Sequence, residues 1–287
     1  MKKILLALMM ALLVSATAFA DVAPTDPVPT KSEQETAISK QAQDPLSGLI
    51  LIPIQFNYDP NIGPLNKQVS EVFIEPTFPI KLNEDWKILT HTVVPIVSVP
   101  ELATNNTNTG LSNIMLSGLL SPTSDASSKY SWGVGAGLML PTASNTNPIT
   151  YTNTPTGFDC WAAGPAVVGV YKNGPWVAGA LFNQLWSFGG SPQTNINAMQ
   201  IQGFAFYNMG SGYSLGYMPL ININWQKAAS QSTTLPVGLQ FGKLFMIDGF
   251  FPLGVSVGGY YNAIRPDNTP TAQYRAQLFF VLPESMF

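Results

Sequence analysis

From Leu46 onward the chain is built of segments ten to fourteen residues long that alternate every second position, and the polar half of the alternation is almost uncharged. In PLININWQ, Pro219 to Gln226, the residues Ile221, Ile223 and Trp225 interleave with Asn222, Asn224 and Gln226. Leu235, Val237, Leu239 and Phe241 interleave with Pro236, Gly238, Gln240 and Gly242, and Leu253, Val255 and Val257 with Gly254, Ser256 and Gly258. Tyr274, Ala276, Leu278 and Phe280 run against Arg275 and Gln277. A period of two is that of a strand, with the two sets on opposite faces. A soluble sandwich shows the same alternation, but its solvent face carries Lys, Glu, Asp and Arg. Only 10% of this chain is charged, against about 25% in ordinary soluble proteins. A face of Gly, Ser, Asn and Gln suits a confined polar interior, which leaves the continuous apolar face for lipid.

The connections point the same way. Twelve strands are predicted, near 47–58, 69–82, 85–99, 110–121, 130–141, 160–172, 175–188, 198–208, 213–225, 234–246, 250–262 and 271–282. Tight hairpin signals stand at Asn83-Glu84, Asn173-Gly174, Gly210-Ser211-Gly212 and Asp248-Gly249, with Pro122–Lys129 intermediate. Between them lie longer polar connections: 59–68, 100–109, 142–159, 189–197, 226–233 and 263–270. Short turns on one rim and long loops on the other define an all-β, antiparallel, up-and-down transmembrane β-barrel of about 12 strands, with short periplasmic turns and long outer loops. Closure leaves no unpaired strand edge in lipid. Tyr58, Trp86, Tyr130, Trp132, Trp161, Tyr171, Trp176, Trp186, Tyr207, Tyr213, Trp225 and Tyr260 fall mostly near strand ends, as interfacial girdles require. Seven prolines inside predicted strands (Pro53, Pro76, Pro79, Pro95, Pro165, Pro219 and Pro236) oppose the assignment, since each removes a ladder donor.

Residues 1–20 read as a secretory signal. Lys2 and Lys3 precede an apolar run from Ile4 to Val14, and Ala18-Phe19-Ala20 supplies the cleavage site after Ala20. Residues 21–45 read as a flexible or lightly docked periplasmic lead, weakly helical at best in SEQETAISKQAQ, and residues 46–287 as the barrel. No later segment approaches 18 uninterrupted apolar residues, so a mature helical membrane protein is excluded. The formal charge of −3 supplies no basic patch for nucleic acid. The expected partners are outer-membrane lipid, the barrel-assembly machinery and a small-molecule solute that the sequence does not specify. Cys160 is the one cysteine, so neither an internal disulfide nor a cysteine metal site is available. His91 is the one histidine and no metal-ligand spacing surrounds it, so neither metal nor cofactor is expected. The glycines at 133, 135 and 137 follow strand period rather than a phosphate-loop pattern.

The segments LIPIQFNY (51–58), IEPTFPIKLNEDWKILTHTVVPIVSVP (74–100), GLSNIMLSGLLSP (110–122), WGVGAGLMLPTA (132–143), WAAGPAVVGVYKNGPWVAGALFNQLWSFGG (161–190) and LGYMPLININW (215–225) resemble a group of bacterial outer-membrane β-barrels often labelled neuromedin U. They are similar to the phenol-degradation (MetA-pathway) transporter family, over roughly 46 to 283. The resemblance implies an outer-membrane barrel with a transport or channel role, and the hormone label carries no functional weight. The chain departs from the usual barrel ending. Pro283 interrupts the alternation before the terminal Phe287, so either Phe280 or Phe287 serves as the assembly-signal aromatic.

Ionisable residues concentrate around one hairpin. Glu71, Glu75 and Lys81 share a face of the second strand, and Lys87 and His91 share a face of the third. Such a set reads either as a charged constriction lining a pore or as a salt-bridged plug that stiffens the barrel. Arg275, and on weaker alternation Lys243, extend it from the closing strands, and Asn222, Asn224, Gln240 and Gln277 complete the predicted lumen set. The preferred expectation is a non-enzymatic channel or transporter for small, including hydrophobic, molecules. The alternatives are a structural or adhesion barrel using its long loops, notably 142–159, or a lipid-acting enzyme that would have to use His91.

Overall fold

The computed structural model describes residues 29–63, 65–101, 106–123, 128–146, 156–191 and 195–282. The expected signal segment and Phe287 lie outside them. The described strands are β1 (Ile50–Ile62), β2 (Lys67–Ile74), β3 (Thr77–Lys81), β4 (Trp86–Pro100), β5 (Thr107–Leu111), β6 (Met115–Pro122), β7 (Tyr130–Met139) and β8 (Cys160–Asn173). There follow β9 (Trp176–Gly190), β10 (Asn197–Gly210), β11 (Tyr213–Tyr217), β12 (Leu220–Asn224), β13 (Thr233–Phe245), β14 (Leu253–Ile264) and β15 (Ala272–Leu282). Three pairs are single staves interrupted once: β2 with β3, β5 with β6, and β11 with β12. The sheet is therefore a twelve-stave antiparallel barrel. It closes where β1 pairs with β15, from Ile50 opposite Leu282 to Tyr58 opposite Tyr274.

Register fixes the faces. On β12, Asn222 stands opposite Gln200 of β10 and Thr234 of β13, while Ile221 and Ile223 share the outer wall with Ile201 and Thr233. Val237, Leu239 and Phe241 are exposed on the outer wall, Leu239 to 56%. Trp86 and Trp132, Tyr130 and Tyr171, and Trp176 and Tyr207 meet edge-on or tilted at the short-turn rim, with ring centroids 5.0 to 6.1 Å apart. Tyr58, Trp161, Trp186, Trp225 and Tyr274 stand exposed toward the long-loop rim. Tyr260 is a correction: it is only 3% exposed and points inward, because its parity matches Gly258 and Asn262 rather than Tyr261.

The prolines are accommodated in two ways. Pro76 and Pro219 stand in the stave interruptions, and Pro236 adjoins a register shift. Several keep their carbonyls in use, accepting from Glu75 N (Pro53, 2.9 Å), Thr92 N (Pro76, 3.0 Å), Ser112 N (Pro95, 2.9 Å) and Tyr217 Oη (Pro236, 2.9 Å). At the Met218-Pro219 interruption two inward side chains replace the ladder. Arg275 donates to the Met218 carbonyl at 3.0 Å, and Met218 N donates to the Tyr260 hydroxyl at 3.4 Å.

Two connections differ from the sequence reading. β1 runs on through Asp59 to Ile62, so the first outer loop is shorter than 59–68. The β13–β14 link spans 246–252 rather than a two-residue turn at Asp248-Gly249. Gly174, with φ of +54°, takes a left-handed conformation in the β8–β9 turn.

Part of the N-terminal lead is helical. Lys31–Ala42 forms a helix, α1, closed by a capping box in which Thr30 and Glu33 satisfy each other's backbone. It has no apolar stripe, and its buried residues are Glu35 and Ser39. Hydrogen bonds to the barrel therefore hold it, which periodicity of apolar residues does not register.

Candidate functional site: the lumen and its two closures

α1 docks at the short-turn rim, against β10, β11 and β13. Glu35 accepts from Lys243 Nζ at 2.7 Å and from Met246 N at 3.1 Å. Gln43 and Asn208 exchange hydrogen bonds of 3.1 and 2.9 Å, and Lys40 Nζ donates to the Gly174 carbonyl at 2.6 Å. The chain then turns into the barrel. Asp44, 1% exposed, pairs with Lys172 at 2.7 Å and accepts from Ser131 at 3.3 Å. Leu46, equally buried, packs among Leu89, Leu119, Val168, Val177 and Phe206. Lys87 Nζ donates to the Leu46 carbonyl at 2.6 Å. Together these contacts seat the 43–46 segment inside the mouth.

At the opposite end of the barrel, the described ends of the β7–β8 connection fold over the β5–β6 interruption. Ser144 Oγ accepts from Leu111 N at 3.0 Å, and Thr142 Oγ1 from Ile114 N at 2.8 Å. Asn113 Nδ2 donates to the Leu140 and Phe158 carbonyls at 2.7 and 2.8 Å. Gly110 is required there, since a Cβ would stand 2.7 Å from the Ser144 Cβ. Residues 147–155 of the loop that the adhesion alternative would use lie outside the described residues.

Between the closures lies a cavity of about 210 Å³. Its walls include Leu89, Leu119, Phe204, Phe206, Leu244 and Phe279, its floor is the Ser39–Pro45 stretch, and its polar lining includes Glu75, His91, Ser117, Gln202, Gln240 and Gln277. This corrects the expectation of a uniformly polar interior. Several short-rim segments, such as Ala166 to Val170, are apolar on both faces, so alternation does not reveal which face points inward.

The ten predicted lumen residues, Glu71, Glu75, Lys81, Lys87, His91, Asn222, Asn224, Gln240, Arg275 and Gln277, all fall on the inner-wall parity by register. The compact ionic set does not form. Lys81 faces Lys87 near the short-turn rim, whereas Glu71 faces Val97, ten residues further along β4, about 30 Å at strand rise. Glu71 is instead held in an amide ladder: Gln55 Nε2 donates to Asn57 Oδ1 at 3.1 Å, and Asn57 Nδ2 to Glu71 at 3.2 Å. Lys87 anchors the occluding segment. Lys243 lies on the outer-wall parity opposite Tyr213 and bends to the rim, where it meets Glu35 and the Ser211 carbonyl. Its ammonium sits 4.6 Å from the Tyr213 ring centroid. His91 faces the lumen across from Ser117, so it is not placed at the lipid rim as a lipid-acting enzyme would need.

Sequence reasoning passed over Asn57, Asp59, Asn183 and Tyr260. Asn57 and Asp59 continue the parity of Gln55, which was signal enough. Asn183 leans over Gly137, where a Cβ would lie 2.8 Å from its Oδ1, a contact between staves that no local pattern encodes. Asp59 Oδ1, Asn183 Oδ1 and Arg275 Nε are buried without a partner among the described residues.

No family model matches the chain, and no curated protein matches it. Solved structures do. The COG4313 outer membrane channel from Pseudomonas putida F1 superposes with a TM-score of 0.57 at 13% identity, covering 92% of this chain and 100% of that one. The NanC porin gives 0.49 at 8% identity, over 81% and 99%. The outer membrane phospholipase of Salmonella typhi gives 0.44 at 10% identity, over 82% and 91%. At such identities the likeness is one of fold, that of outer-membrane barrels.

Proposed function

We propose that this protein is an outer-membrane channel or transporter for small apolar molecules, with α1 and the segment after it as a displaceable inner closure facing the periplasm. The observation that carries this reading is the largely apolar wall of the cavity inside a lipid-facing barrel. A route for sugars or ions needs a continuous polar lining, whereas Leu89, Leu119, Phe204 and Phe206 offer such solutes nothing to replace their water. The channel described for the Pseudomonas putida neighbour agrees with it, as does the resemblance to the phenol-degradation transporter group.

The test compares the full chain with a variant lacking residues 29–45 in planar bilayers and in liposome swelling. The full chain should conduct ions weakly and admit uncharged apolar solutes better than sugars. Removing the closure should raise conductance several-fold. Impermeability of both forms to every solute class would refute the reading.

A further inference from the structure

The barrel wall is not tied equally all round. At two of the stave interruptions, backbone bonds carry the connection across. Glu75 N donates to the Pro53 carbonyl at 2.9 Å, Thr92 N to Pro76 at 3.0 Å and Ser112 N to Pro95 at 2.9 Å. On the β13 side of the β11–β12 stave the ladder itself stops. It ends at Gly216 opposite Gln240 and resumes, in the same register, at Asn222 opposite Thr234. Residues 217–221 therefore face 235–239 without strand pairing, a seam of about 20 Å between the flanking pairs at strand rise. In that register Leu220 faces Pro236, which has no N–H to give the ladder. The opposite edge of β13 is intact, since Pro236 to Phe245 pair with Asn262 to Leu253 of β14. The seam thus lies between two staves and is not a frayed strand.

Side chains close it. Tyr217 reaches across, its hydroxyl donating to the Pro236 carbonyl at 2.9 Å. Tyr260 stands behind, its ring centroid 6.4 Å from that of Tyr217, and its hydroxyl accepts from Met218 N at 3.4 Å. The Arg275 guanidinium covers the Tyr260 ring at 5.2 Å and donates to the Met218 carbonyl. Both sides of the seam are largely apolar. On the lumen side it borders the cavity, which Met218 and Gln240 line together with Phe204 and Phe206. On the lipid side Leu215, Val237 and Leu239 are exposed. Elsewhere the staves part only by breaking backbone hydrogen bonds that lipid cannot replace. Here the bond that spans the seam belongs to one tyrosine side chain, and side-chain rotation is fast.

We propose that the seam between 217–221 and 235–239 is a lateral portal through which apolar solutes pass between the lumen cavity and the bilayer, with Tyr217 as its latch. This rests on the reading of the lumen as a route for apolar solutes and adds an exit that does not require α1 to leave its place.

The probe is N-phenylnaphthylamine, an uncharged dye that brightens on reaching phospholipid, added to cells of a Gram-negative host whose outer membrane otherwise holds it out. Cells carrying the full chain should take it up several-fold faster than cells without the barrel. Ile221→Cys with Leu235→Cys, next in register to Asn222 opposite Thr234, ties the two staves by a disulfide, while the native Cys160 is fully buried. Oxidation should return uptake to the level of cells without the barrel, and reduction should restore it. Tyr217→Ala should raise uptake several-fold above the full chain and leave ion conductance in planar bilayers unchanged, because lipid and not water lies behind the seam. Heat-modifiable gel mobility shows which variants fold, and either one decides the matter alone. Uptake indifferent to the disulfide or to Tyr217→Ala overturns the portal, as does a Tyr217→Ala barrel whose ion conductance rises with its dye uptake. If only removal of residues 29–45 admits the dye, the route runs along the barrel axis, so the portal falls and the apolar channel stands. If no form admits it, both fall.

Discussion

Individual side chains carry unusual weight here because the barrel repairs its own interruptions with them. Arg275 is 6% exposed and bonds a carbonyl that the Met218-Pro219 interruption removed from the ladder. Arg275→Met should leave that carbonyl unsatisfied in a closed interior, at a cost of about 1–3 kcal/mol. The temperature at which heat-modifiable mobility is lost should fall accordingly. Arg275→Lys should not restore it, because one ammonium cannot reproduce a planar fork that reaches both Met218 and Gln273. The two faces of neighbouring staves provide a second contrast. Leu239→Lys places a charge on the lipid wall and should cost about 2–4 kcal/mol near the bilayer midplane. Asn222→Lys, on the open inner wall, should stay within about 0.5 kcal/mol. Urea unfolding from lipid vesicles measures both, and equal costs would refute the assignment of faces.

At the scale of elements, α1 is a helix whose place is set by polar contacts. Burial of the Glu35 carboxyl would raise its pKa, but the hydrogen bonds from Lys243 and the Met246 amide, with the charges of Lys243 and Lys31, outweigh it and hold the group below its ordinary value. A carboxyl depressed on docking stabilises the docked state fully above its undocked pKa, near 4.3. That contribution disappears as pH falls through the docked value. Hydrogen exchange of the α1 amides should therefore accelerate as pH drops below about 4.3, after correction for intrinsic exchange. Glu35→Gln should weaken docking at neutral pH and flatten that acid dependence. An unchanged acid dependence in the variant would show that another group controls the closure. The sequence reading credited this segment with weak helicity at best for the same physical reason: KSEQETAISKQA presents no apolar face, and its partners Asn208, Lys243 and Gly174 are over a hundred residues away.

The whole molecule is a sheet closed upon itself, which is why so much of it was legible. In lipid every backbone group must find a partner within the protein, and the bilayer accepts only an apolar wall. Those two demands write themselves into most staves as a period of two, and into the connections as alternating short and long loops. Segments such as PLININWQ and Tyr274 to Phe280 thus disclosed their lipid and lumen faces directly. Strand count, strand order, closure and the inward parity of Glu71, His91, Asn222 and Arg275 followed from local pattern alone. What fills the lumen did not. Parity says that Lys87 and Leu89 point inward, but not that Leu46 will pack against one and accept a hydrogen bond from the other. Nor does it say that the β7–β8 connection will fold back over Gly110. Faces are fixed by neighbours one or two residues away and by the solvent outside, so the sequence determined them. The closures and the cavity between them arise from groups distant in sequence meeting inside a space that exists only once the barrel is closed, and that only the tertiary structure decided.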